Sequence, residues 1–454
     1  MSFTEDLYGQ VRRHLFPGDG REASAILLCS RVPDPRVRLL TRGVVLVPHT
    51  ACTVRESDRL TWPGSFIEDA IDRAIEEELS LVLIHSHPGG MLAFSAADDM
   101  SDHEVLPCIF HALGPLHGTA VMVPSGAVLA RVYDRQMQQI SIDLTSVCGH
   151  DFLWFWSDGR FAVRPMAFSS DMTTELAKLT TCVVGVSGTG SIVAEQLARL
   201  GVGRVLLIDH DVLESRNLNR ILNSTIYGAR SALLKVDAFA EAINTYRAPG
   251  VPVPLSASIT DREAVMLASQ ADLIFSCVDT LEARYFLDLI ASSFLMPLFD
   301  VGVAIPTRKV GGGVAIADVC GRIDYVKPGG ATLRDRSVYT PASLRDEYLR
   351  KVAPEAHYAE LTAGYIKGVP EEAPSVISLN MRAASACVME FIARAYPFRH
   401  ASNEHYARTE FSLAASEEEY HAEASFLRTH NPHLARGRSE PLLGLPALQL
   451  QIDK

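Results

Sequence analysis

His85 and His87 stand one residue apart, directly after the apolar run LSLVLI (79–84), in the segment HSHPGGMLAFSAAD. Alternate residues of an extended chain project to one side, so histidines at i and i+2 can share one ion. Asp98, eleven residues beyond His87, offers a third and harder ligand. A His-His-Asp set leaves the fourth tetrahedral position open, which marks a catalytic rather than a structural zinc site. Ser95, three residues before Asp98, is close enough to donate a hydrogen bond to an oxyanion formed at such a metal.

A second group of residues suits a nucleotide. GVSGTGS begins at Gly185, where an apolar strand pattern gives way to a helical one. Glycines at such a turn (Gly185, Gly188, Gly190) let backbone amides approach a phosphate whose charge the helix N-terminus stabilises. Ser187 stands where the dinucleotide fingerprint has its second glycine, so the loop by itself admits either an NAD enzyme or an ATP enzyme. Asp209 closes the next strand pattern, 24 residues after Gly185, and suits a ribose hydroxyl in both cases. Asp211 and the run Asn217-Leu218-Asn219-Arg220 follow, and a dinucleotide enzyme has no need of them. No GxxxxGK[ST] stretch occurs, which argues against a P-loop ATPase.

The elements that must hold these groups change character along the chain. Over the first 150 residues, short β-like runs (23–29, 43–48, 79–84, 119–124) accompany one amphipathic helix at 66–78, an α+β pattern. The aromatic stretch HDFLWFWSDGRF (150–161) reads as a boundary, and 151–172 as a linker. From 173 onward strands and helices alternate: strand 181–186, helix 191–200, strand 204–209, strand 272–279, then a helix from Leu281. That alternation implies a mostly parallel, Rossmann-like α/β sheet. An apolar helix at 376–396 closes this second domain, expected over 173–398. Residues 399–454 form a polar, proline-punctuated extension without a functional reading.

The chain has 454 residues, too many for one ordinary core at about 150 residues per domain. Hydrophobic residues make up 48% and charged residues 21%, as in a well-packed globular protein. The net charge of −12 argues against nucleic acid as a partner. The opening MSFTEDLYGQVRRHLF carries acidic residues and lacks an apolar core, unlike a secretory signal. No apolar run approaches the roughly 18 residues that span a bilayer. The eight cysteines are scattered without a CxxC pair, as expected of reduced thiols in a cytoplasmic protein.

The first residue set matches H-x-H-P, six residues, S-x-x-D at every position, and so resembles the JAMM motif of JAB-type zinc metallo-isopeptidases. The resemblance implies a glutamate ahead of an early strand, to take a proton from the attacking water and pass it to the leaving amine. Glu22, leading into ASAILLC, fits that place. The second set, GxxGxGS, DxD, NLNR, a later lysine and a strand-end aspartate, resembles the ThiF and ubiquitin-activating enzymes. So does PSVISLN, which leads into the closing helix. Enzymes of this family let the C-terminal carboxylate of a ubiquitin-like protein or peptide attack the α-phosphate of ATP, giving an acyl-adenylate and pyrophosphate. Two anions must meet there, so cations and magnesium are needed. By this resemblance Arg220 and Lys235 neutralise phosphates, Asn217 positions them, and Asp279, in SCVD, holds magnesium.

The two resemblances together imply a fusion of bacterial type, with zinc and magnesium-ATP as cofactors. Its partner is a ubiquitin-like protein or peptide and, for conjugation, a conjugating enzyme. A homodimer through the adenylating domain is implied as well. Two other readings remain open: activation of a sulfur carrier for cofactor or amino-acid synthesis, and a modifier-binding adaptor without turnover. The chain also departs from the family. Where many relatives carry a zinc-binding cysteine pair after P-G-x, it has Thr332 and Asp335 in KPGGATLRDRS, so no structural zinc is expected there. No thioester cysteine stands out, Cys320 being the nearest thiol and Cys387 lying on the closing helix.

Overall fold

The computed structural model describes residues 1–311, 313–355 and 376–450; Pro374 and Ser375 of PSVISLN lie outside them. Two compact units emerge. The first comprises Met1–Arg164, Ser292–Leu295 and Asn431–Lys454, and the second Pro165–Ala291 and Met296–His430. Among the described residues, no helix is long and apolar enough to cross a membrane.

The first unit is built on a nine-stranded sheet whose centre pairs Leu39–Leu46, Ser24–Arg31, Ser80–Ser86 and His117–Met122 in that order. Ser24–Arg31 is buried on both faces, and its side chains alternate between two cores. Ala25, Leu27 and Cys29 pack with Tyr8, Val11 and Leu15 of the helix Glu5–Leu15. Ile26 and Leu28 pack with Ala70 and Ala74 of Ser65–Ile75 and with Leu106 and Ile109 of Ala96–Ala112. Two helical layers therefore sandwich the sheet and fix its register.

The aromatic stretch expected to mark a boundary instead contains the edge strand Phe152–Trp156, antiparallel to Leu144–Cys148. Its Phe152 and Trp156 are buried, so the apolar residues that suggested a joint belong to the sheet.

The second unit has an eight-stranded sheet, an α/β arrangement with a parallel core. Pro252–Leu255, Arg204–Ile208, Thr180–Val184, Leu273–Ser276 and Leu298–Ala304 run parallel, and Cys320–Val326 pairs antiparallel with the last of them. The expected extension from 399 onward is partly sheet as well, since Arg408–Ser412 and Glu417–His421 continue it antiparallel. Its polar sequence hid this because Glu417–His421 is a mostly exposed edge strand. The closing helix spans Ile377–Ala395.

Thr332 and Asp335 form a reciprocal box in which each side chain accepts from the other's backbone amide, at 3.1 and 3.0 Å. Asp288, fully buried on the helix Leu281–Ser293, anchors the same segment. It accepts from Leu333 N, Arg334 N and the Tyr339 hydroxyl.

Candidate active sites in the two units

In the first unit the histidines end the strand Ser80–Ser86 and begin the turn after it. This strand pairs antiparallel with Ser24–Arg31, Ser24 opposite His85, and the Ser86 amide donates to Ala23 O at 3.0 Å. Continuing that register sets Glu22 opposite His87, although 65 residues separate them in the chain. Asp98 arrives from the helix Ala96–Ala112. Ser95 is its N-cap and forms a capping box with Asp98, which fixes the carboxylate at the helix start.

The helix is pinned in turn to the sheet by groups that sequence reasoning missed. Buried Asp102 accepts from Thr119 Oγ1 at 2.8 Å and Arg131 Nε at 3.0 Å, and Arg131 also pairs with Asp99 at 2.6 Å. An acid one turn after Asp98 on a helix start was the available signal.

The donor atoms converge. His85 Nε2 lies 2.9 Å from His87 Nε2 and 3.1 Å from Asp98 Oδ1, and His87 Nε2 lies 3.7 Å from Asp98 Oδ2. His87 Nδ1 faces the Met91 carbonyl at 2.9 Å. A carbonyl can only accept, so Nδ1 carries a proton, which leaves Nε2 as the ring atom turned toward His85 and Asp98. Two ring nitrogens and a carboxylate converging at these distances make a set that one cation could bridge in place of the proton they share here. Tetrahedral zinc with bonds of about 2.1 Å sets ligand atoms about 3.4 Å apart, and the observed distances bracket that value. The donor set fits a divalent ion.

Electrostatics divide the two acids. Burial pushes the Asp98 carboxyl up, but hydrogen bonds from His85 and Ser95 outweigh it and hold the group well below the usual carboxylate range. Glu22, buried and without such donors, is pushed up to about 7, His85 opposing the shift and Asp98 adding to it. A carboxyl poised near neutrality suits general acid–base work. Ser95 Oγ donates to Asp98 Oδ2 at 2.8 Å, so its observed partner is the carboxylate.

In the second unit the glycine loop joins Thr180–Val184 to the helix Gly188–Leu200. Gly185 has φ +86°, and a Cβ there would come within 2.7 Å of Cys277 O. A Cβ on Gly190 would overlap the Gly185 carbonyl oxygen. Asp209 buttresses the loop, accepting from Val186 N at 2.8 Å and from Asp211 N at 2.9 Å. Burial raises its pKa, opposed by Lys235. Buried Lys235 pairs with Asp211 at 2.6 Å. Val186 of the loop, Asp209, Asp211 and Lys235 thus form one connected set.

Asn217 faces its own turn, accepting from Glu214 N at 3.0 Å, and so shapes the segment that carries Arg220. The Arg220 guanidinium donates to Arg216 O at 3.0 Å, with Cδ close to Gly188. Asp279 stands exposed just past the strand Leu273–Ser276, at the carboxyl end of the parallel sheet where open α/β folds place ligands.

Beyond Asp279, Arg284 donates to Val278 O at 2.8 Å and to the fully buried Asp300 at 3.1 Å. Asp300 also pairs with Arg322 at 2.6 Å. Both arginines line a cavity of about 500 Å³ together with Gly302, Cys320, Glu410 and Glu417. The Cys320 thiol donates to Ala304 O at 3.6 Å, and burial, Asp318 and Glu410 all raise its pKa. Cys387 is fully buried, which also pushes its thiol up. None of these surroundings activates a nucleophile.

Residues 4–138 match the prokaryotic homologs of the JAB domain, and residues 162–318 match the ThiF family. The chain fuses a JAB-type domain to a ThiF-type domain. Its ThiF-type part is similar to ubiquitin-like modifier-activating enzyme 5. Identity to the protein from Culex quinquefasciatus is 29% over 168 residues, 34% of this chain and 38% of that protein. For the protein from Caenorhabditis elegans it is 30% over 162 residues, 33% and 35%. The chain thus spans just over a third of the length of these curated relatives. Among solved structures, E. coli MccB with succinimide aligns over 59% of this chain and 68% of its own, with 14% identity and a TM-score of 0.43. By its family match, the ThiF-type unit is adenylating-enzyme-like.

Proposed function

We propose that this protein activates the C-terminal carboxylate of a ubiquitin-like protein or peptide through its ThiF-type unit. Its JAB-type unit would hydrolyse peptide or isopeptide bonds made at that terminus. The observation that carries the reading is the presence, on one chain, of a converged His85–His87–Asp98 set beside a near-neutral Glu22 and of a glycine loop wired to Asp209, Asp211 and Lys235. The ThiF-type relatives support the first half by their names, ubiquitin-like modifier-activating enzymes.

In the JAB-type unit, His85, His87 and Asp98 would hold zinc. A zinc ion there supplies Lewis acidity toward the scissile carbonyl and lowers the pKa of water. Glu22 takes the proton of the attacking water and delivers it to the leaving amine, roles that its raised pKa lets it alternate between. Asp98, held as the carboxylate, remains a ligand. Ser95 orients Asp98 and has a hydroxyl that can turn toward the oxyanion.

In the ThiF-type unit, the substrate carboxylate oxygen attacks the α-phosphorus of ATP, and the bond to the bridging oxygen breaks as pyrophosphate leaves. Glycine-loop amides and the helix N-terminus would receive phosphate oxygens, Arg220 and Lys235 would screen the two anions, and Asp279 would hold magnesium. With Cys320 and Cys387 unactivated, the activated carboxyl passes to a nucleophile on another molecule, such as a conjugating enzyme. We place the protein in the cytoplasm, as a dimer through the ThiF-type unit.

The test uses the wild-type protein with a candidate modifier. Magnesium-dependent exchange of labelled pyrophosphate into ATP, seen only with a free modifier C-terminus, supports adenylation, and tight NADH binding without ATP binding sinks it. Chelator-sensitive cleavage after the modifier's last residue supports the hydrolytic half. A thiocarboxylate product would move the reading to sulfur transfer.

A further inference from the structure

We infer that Asn380, in the first turn of the closing helix, is a positioning residue that sets the nucleotide loop from behind; the inference rests on the proposed reading of that loop as an ATP site. The loop's glycines differ in what makes them necessary. Gly185 and Gly190 answer to their own turn and to the neighbouring Cys277 carbonyl. Gly188 instead faces a residue 192 positions later in the chain: a Cβ there would overlap Asn380 Nδ2 and would lie 3.4 Å from Arg220 Cδ.

Asn380 is 1% exposed. Its carboxamide oxygen accepts from Thr189 Oγ1 at 3.5 Å, so the first two residues of the helix Gly188–Leu200 meet one side chain. Farther along the same pair of helices, Gln196 donates to Ser385 Oγ at 3.4 Å. The amides of Gly188, Thr189 and Gly190 are the helix-start donors that a phosphate would use. Their position is therefore fixed by the depth at which the closing helix seats Asn380. A residue this buried cannot itself touch a nucleotide, and it acts through the loop. The carboxamide is suited to the place, being flat, short, and able to donate on one side while accepting on the other.

The experiment measures magnesium-ATP affinity of the full chain by calorimetry, with melting temperature as the fold control. Gly188→Ala should weaken binding about tenfold or more, because the methyl and the carboxamide cannot share the space. Adding Asn380→Gly to that variant should recover most of the loss, since the second change vacates the contested volume. If the double variant binds no better than Gly188→Ala, then Gly188 answers to the ligand and the inference is overturned.

Asn380→Asp keeps the shape and still accepts from Thr189, yet it exchanges a donor for a negative charge behind the phosphate amides. Weaker ATP binding at an unchanged melting temperature is expected, and unchanged affinity would overturn the proposal by this independent route. Failure of the wild type to bind ATP would instead remove the functional reading on which the inference stands.

Discussion

The two sites differ in what their charged groups do before any ligand arrives. In the JAB-type unit two ring nitrogens, of His85 and His87, and the Asp98 carboxylate face one another across about a hydrogen-bond length, a donor set that could take up a cation. In the ThiF-type unit the charges are already paired: Lys235 holds Asp211, Arg284 and Arg322 hold Asp300, and Asp209 accepts two backbone amides. On the proposed reading the first site would take up a cation, and the second would exchange internal pairs for a polyanion, so that its binding strength would depend on how readily Lys235 leaves Asp211.

The largest effects should appear where a group has no substitute. His87→Ala should abolish zinc binding by elemental analysis and all cleavage, while leaving pyrophosphate exchange intact. Glu22→Gln should retain zinc and lower turnover about 10²- to 10⁴-fold, the usual range for a lost general acid–base group. Loss of zinc in that variant would make Glu22 a ligand. In the other unit, Arg220→Ala and Asp279→Ala should each lower pyrophosphate exchange about 10²-fold, the scale for removing one electrostatic stabiliser. Wild-type exchange in either variant would remove that residue from the site.

A smaller effect tests the exchange of pairs directly. Lys235→Met keeps the stem and removes the charge, so ATP affinity should fall about tenfold, or about 1.4 kcal/mol. Unchanged affinity would show that Lys235 serves Asp211 alone.

A pH effect separates the fold of the ThiF-type unit from its chemistry. Burial pushes the Asp288 carboxyl up to about 6, with the hydrogen bond from Tyr339 and the amides of Leu333 and Arg334 opposing. An unfolded aspartate titrates near 3.9. The folded pKa is the higher one, so this group's contribution to stability is fully present below about pH 4 and is lost as pH rises through about 6. The melting temperature of the wild type relative to Asp288→Asn should therefore fall between those values, and a flat difference would contradict the assignment. The smallest expected effect is none: Cys320→Ala should leave ATP exchange unchanged and remove no thiol-sensitive adduct, because its raised pKa leaves little thiolate at neutral pH. An adduct present in wild type and absent in the variant would identify Cys320 as a nucleophile.

How much of this was legible in the chain follows from distance along it. His85, His87, Ser95 and Asp98 lie within 14 residues, and one strand end and one capped helix suffice to bring them together, so spacing alone exposed them. The glycine loop and Asp209 follow from strand–helix alternation in the same way. The α+β and α/β textures were legible because both sheets have central strands buried on two faces, which read as unbroken apolar runs.

Tertiary structure decided the rest. Nothing local tells that Ser24 pairs opposite His85 and so brings the Glu22 end of its strand toward the histidines, that Asp102 and Arg131 lock the helix bearing Asp98, or that Asn380 bounds Gly188, because strand register and helix packing are set by contacts far apart in the chain. The edge strands Phe152–Trp156 and Glu417–His421 escaped notice for a related reason. An edge strand carries little periodic burial of its own, and only the neighbour to which its backbone hydrogen-bonds makes it part of a sheet.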